Sequence, residues 1–133
     1  GGEALHTGTF LANPLACAAA LASLGVLVDS RAAAGRAALA AQLEAGLGRL
    51  ASRHRAVLAR RSLGLLGALD LAPPGAARRL VAAAQGRGIL LLAGGPTGDV
   101  VQLAPPFSIT SAQLGAAFEA LDSALSRLNA RRG

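Results

Sequence analysis

Between residues 14 and 128 the apolar positions change their spacing several times, and each change marks an element. Asn13 and Pro14 open a helix: Asn suits the cap, and the N–H missing from Pro is one that a first helical turn leaves unbonded anyway. From Leu15 to Val28 the run is apolar on every side, which predicts a helix enclosed by other structure. A second helix, capped by Asp29 or Ser30, extends to about His54. Its Leu39, Leu43, Leu47 and Leu50 recur at helical spacing and form one stripe. Gly35, Gly46 and Gly48 weaken it by about 1 kcal/mol each relative to Ala.

Residues 56–72 lose that period. A Leu-rich run broken by Gly64 and Gly67 predicts a strand bent where side chains are missing, ended by Pro73-Pro74-Gly75. A third helix turns Ala77, Leu80, Val81 and Ala84 inward and Arg78 and Arg79 outward, stopping at Gly86 or Gly88. Ile89–Ala93 and Val100–Ala104 read as short strands joined by the turn Gly94–Asp99. Thr110 and Gln113 have capping-box spacing before a last helix with Leu114, Phe118, Leu121, Leu125 and Leu128 on one face. The predicted class is α/β in the broad sense, an α+β layer with helices packed on a small mixed or antiparallel sheet.

Composition narrows the function classes. The chain carries a net charge of +6, yet its 13 basic residues are all Arg and are scattered without a long basic run. Only Phe10, Phe107 and Phe118 are available to stack on bases, so nucleic acid is not the expected partner. The apolar run Leu15–Val28 is shorter than the ~20 residues that cross a bilayer, and no membrane partner is expected. The opening Gly-Gly-Glu carries no signal-peptide pattern. Cys17, the single cysteine, excludes an intrachain disulfide and suits a cytoplasmic setting. Within an Ala-rich helix it reads as buried apolar filler rather than a reactive thiol.

Residues that could form a self-contained active site are missing. His6 and His54 with one distant Cys do not make a metal cluster, and His54 reads as solvated surface at an Arg-rich helix end. No Gly-x-Ser-x-Gly elbow, dinucleotide loop or P-loop is present. The one suggestive piece is His6–Leu27, a Thr- and Gly-containing loop running into an Asn-Pro helix start. Such a loop suits an anion such as phosphate, and it equally suits a plain helix cap.

That segment resembles the loop and helix that follow the Schiff-base lysine in class III aminotransferases, of the form H-x-(S/G)-T-(Y/F)-x-(G/A)-N-P-L-A. Two further blocks match in the same order: residues 60–71 resemble the family's RGxGLMxGxEL strand, and Gly88–Leu114 resembles GLLLxxAGxxGNVIRLxPPLxITxxEL. The likeness is to ornithine, acetylornithine and 4-aminobutyrate aminotransferases. It implies the carboxy-terminal domain of a fold type I transferase dependent on pyridoxal 5'-phosphate. The partners implied are a small-molecule amino donor, a 2-oxo acid and a second subunit, since such enzymes are homodimers with the cofactor site at the interface. Residues 1–28 then correspond to the end of the large domain with its connecting helix, and 29–133 to the small domain.

The resemblance assigns the cofactor phosphate to Thr9, with a backbone contact from Gly8, and gives His6 no catalytic role. Two departures stand out. The sequence contains no Lys, so the amine that anchors the cofactor covalently is not in these residues, and the chain alone is expected to be an inactive piece of the enzyme. The family's substrate-binding Arg aligns with Gln102, whose neutral amide replaces a charged, bidentate clamp on a carboxylate. The alternative is a non-catalytic remnant or dimerisation module that keeps the small-domain fold.

Overall fold

A computed structural model of the chain describes residues 11–130, with side chains for all of these except 30–32, 129 and 130. Four helices and four strands follow in the order α1 (Pro14–Val28), α2 (Ser30–Arg53), β1 (Val57–Leu63), β2 (Leu66–Leu71), α3 (Ala76–Gln85), β3 (Leu92–Gly94), β4 (Val100–Leu103) and α4 (Ser111–Ala130). The chain divides into two compact units, one ending at Gly35 and the other beginning at Arg36.

In the first unit, Asn13 caps α1 as the sequence predicts, its Oδ1 accepting from Ala16 N at 3.1 Å. Every residue of α1 is exposed, so the enclosure expected of this helix is not supplied within the described residues. Cys17, expected to be buried filler, is exposed with it. The helix has no polar stripe, hence no single face that burial would select. Among the described residues no single helix is long and apolar enough to cross a membrane.

The second unit holds the core. Its sheet is antiparallel throughout, in the order β1-β2-β4-β3. One face is buried through Leu69 and Leu71 of β2 and Val101 and Leu103 of β4. These pack in one cluster with Leu43, Leu47 and Leu50 of α2, Leu80 and Ala84 of α3, and Leu114, Phe118, Leu121 and Leu125 of α4. The three helical stripes predicted from apolar spacing therefore meet on a single sheet face. Thr110 and Gln113 complete the capping box: Gln113 N donates to Thr110 Oγ1 at 3.1 Å, and Thr110 N donates to Gln113 Oε1 at 2.9 Å.

Two predicted strands are corrected. Residues 56–72 are not one bent strand but a hairpin, because Gly64 (φ 58°) and Leu65 form a two-residue loop that needs the left-handed backbone Gly adopts freely. Of Ile89–Ala93, only Leu92 and Ala93 enter the sheet, with Gly94 added. Ile89 and Leu91 instead pack against the core cluster.

Gly46, weak on helix propensity, has a packing reason. A Cβ there would lie 2.3 Å from Phe118 Cε2, so the ring of α4 rests directly on the backbone of α2. Gly67 serves β2 similarly, since a Cβ would stand 2.8 Å from Leu47 Cδ1. Gly46→Ala should therefore destabilise the chain by roughly 1–3 kcal/mol through overpacking, despite the better helix former. Gly35→Ala, with nothing within 4 Å of the new atom, should not. Urea unfolding of the two variants checks this.

Candidate functional site

The burial of Leu69, Leu71, Val101 and Leu103 leaves their alternate neighbours on the opposite face of the sheet. Gln102 is exposed there, paired in register with Ala68 on one side and Leu92 on the other. Arg61 pairs with Ala68, so Arg61, Ala68, Gln102 and Leu92 lie in one row across the open face. The adjoining row holds Asp70, Val100 and Gly94. Gly94 leaves room for its diagonal neighbour: a Cβ there would come within 3.3 Å of Gln102 Nε2.

Arg61 and Asp70 form the strongest polar contact on this face. Arg61 Nη1 donates to Asp70 Oδ2 at 2.6 Å and Nη2 donates to Oδ1 at 2.7 Å, a bidentate pair. The hydrogen bonds to Asp70, and then its negative charge, raise the Arg61 pKa above its ordinary value. A pocket of about 380 Å³ lies beside the pair, with Arg61, Ser62, Leu66, Ala68, Val100 and Gln102 in its wall. A larger cavity of about 570 Å³ between the Pro105-Pro106 segment and α4 has no titratable side chain among the described residues that line it, and it extends the apolar core.

The sequence names Gln102 only through the family resemblance, and it misses Arg61 and Asp70, nine residues apart, as its neighbours. Treating 56–72 as one strand hides them, because only the hairpin folds β1 back onto β2. The available signal is the Gly-x pair at 64–65, which suits a two-residue hairpin loop. Thr9, Gly8 and His6 lie outside the described residues. Immediately before the Asn13 cap, Ala12 is left-handed (φ 57°), a conformation unusual for a residue with a Cβ.

His54 also departs from expectation. It is buried rather than solvated, because α2 ends against α4 and its Nε2 meets Asp122 Oδ1 at 2.7 Å. Arg53 Nη1 reaches the other carboxylate oxygen at 3.1 Å. Among the described residues no group of three or more His, Cys, Asp or Glu is arranged to hold a metal ion.

The family model for class-III aminotransferases matches residues 1–125 of this chain. The chain belongs to the class-III aminotransferases. It is 37% identical over 124 residues to the acetylornithine aminotransferase of Gloeobacter violaceus, covering 92% of this chain and 30% of that protein. The crystal structure of acetylornithine aminotransferase from Elizabethkingia anophelis superposes with a TM-score of 0.77 at 27% identity, over 95% of this chain and 33% of the other. A PLP-bound aminotransferase mutant from Vibrio fluvialis gives 0.79 at 25% identity, over 90% of this chain and 28% of the other. This class-III aminotransferase chain thus spans about a third or less of the relatives it matches.

The buried His54–Asp122 contact should matter more to stability than the exposed Arg53–Asp122 one. Asp122→Ala should cost about 1.5–3 kcal/mol, the range for a hydrogen bond to a charged group. Arg53→Ala, whose side chain is 67% exposed, should cost less than about 1 kcal/mol. Equal losses in urea unfolding would show that the buried histidine contributes nothing to this fastening.

Proposed function

We propose that the chain is the carboxy-terminal portion of a pyridoxal-phosphate-dependent aminotransferase that moves an amino group between an amine or amino acid and a 2-oxo acid. The match to the class-III family across residues 1–125 carries this reading. When bound, pyridoxal phosphate supplies the carbonyl that accepts the amino group and the ring system that delocalises the charge developed during transfer.

The part of that chemistry assigned to these residues is binding and orientation. The donors near the chain's start suit the cofactor's phosphate: the Thr9 hydroxyl and the Gly8 N–H can each give one hydrogen bond to a phosphate oxygen. They do not suit its covalent attachment, because that needs a Lys amine and the sequence has none. The covalent anchor therefore belongs to sequence other than these 133 residues. In the homodimer that the family resemblance implies, the Thr9 loop serves the cofactor of the neighbouring subunit.

On the open sheet face, Gln102 meets the substrate. A neutral amide gives a carboxylate none of the charge-assisted bonds of an Arg, so the amine donor favoured here lacks a carboxylate at this position. The exposed apolar surface of α1 also suits the second reading, a dimerisation module without catalysis.

Two measurements test the cofactor assignment. With its amino-terminal amine blocked, the 133-residue chain should form no saturable, borohydride-reducible adduct with pyridoxal phosphate. In the protein completed by its lysine-bearing portion, Thr9→Ala should weaken cofactor retention by about 1.5–3 kcal/mol, while Thr9→Ser keeps most of it. Equal retention in wild type and the Ala variant would reduce Thr9 to a loop or cap residue.

A further inference from the structure

Among the described residues, Arg61 is the only cation in the wall of the pocket beside Gln102, and it is already committed. Two of the five N–H donors of a guanidinium are spent on Asp70, one to each carboxylate oxygen. These are the parallel donors with which Arg grips a carboxylate end-on, so a second carboxylate cannot use the same fork. It would have to approach from the side, toward the negative charge of Asp70. The pair thus presents a polar but electrically balanced surface.

The remaining wall has the same character. Gln102 offers an amide N–H₂ and an amide oxygen, which match an uncharged amide reciprocally. A carboxylate can use only the donor half and meets the carbonyl oxygen as a like dipole. Leu63 (84% exposed), Leu66 (56%), Ala68 and Val100 add apolar surface beside these groups.

We propose that Asp70 is a specificity-determining residue: by holding Arg61 in a bidentate pair it keeps the pocket neutral, so that the face beside Gln102 takes an uncharged amide or acyl group and disfavours a carboxylate. The inference rests on the aminotransferase reading only for the claim that this face meets substrate. The preference itself belongs to the pocket.

The test uses the isotope-labelled 133-residue chain and two probes of equal size, butyramide and butyrate. Their binding is read from the Gln102 side-chain amide and the Arg61 Nε resonances. In wild type, butyramide should shift both signals at a concentration at least several-fold below that needed for butyrate. Asp70→Asn, which releases the guanidinium, should reverse the order, and adding Arg61→Gln to it should restore the wild-type order, read from the Gln102 signal. Should Asp70→Asn fail to fold, the double variant Asp70→Asn/Arg61→Gln decides the point. With both charges removed together the pocket stays neutral, so butyrate affinity should stay within about twofold of wild type.

A wild type that prefers butyrate would overturn the proposal, as would an unchanged order in Asp70→Asn. So would a many-fold loss of butyrate affinity in the double variant relative to wild type, or no response of either signal to either probe in wild type. None of these readouts needs cofactor or turnover. Failure to transaminate by the completed protein would sink the aminotransferase reading and leave the pocket's preference standing, and the converse holds equally.

Discussion

Leu69 and Leu71 on β2 and Val101 and Leu103 on β4 sit under α2, α3 and α4, and the open face owes its composition to their burial. Side chains of a strand alternate, so a slip of one residue would turn these four outward and bring Asp70 and Gln102 into an apolar core. Putting an ion-pairing carboxylate and an amide there without partners is far costlier than any surface rearrangement. The register Ala68↔Gln102 is therefore set by the core. The polar row inherits its position from it.

Close approach of the helices supports the same arrangement. Phe118 rests on Gly46, and Leu47 reaches Gly67, so α2 is drawn against both α4 and the sheet at positions where a side chain would intervene. At the far end of α2, His54 and Arg53 share the carboxylate of Asp122. Apolar contact fixes depth and the ionic contact fixes the helix end. The result is a stable platform with one covered face and one face free to meet something else.

Much of this was legible from residue spacing. The stripes of α2, α3 and α4, the Asn13 cap and the Thr110–Gln113 box are local signals, and each depends on neighbours within a turn or two. The hairpin at Gly64-Leu65 escapes a spacing argument because Leu residues on both sides of the loop mask the period of 2. The burial of His54 escapes it too, because it depends on Asp122, 68 residues away, which no local pattern reports. The Arg61–Asp70 pair fails for the same reason at shorter range. The family blocks supply what spacing does not, namely the class of chemistry.

The most direct check of the account is the outward position of residue 102. In a Cys17→Ser background, single cysteines placed at 101, 102 and 103 can be timed against a thiol reagent under native conditions. The register described here predicts rapid modification at 102, with 101 and 103 reacting only as the chain unfolds, since Val101 is 0% and Leu103 6% exposed. Fast labelling at 101 and 103 with protection at 102 would mean the opposite face is buried. The open face built from Arg61, Asp70 and Gln102 would then not exist.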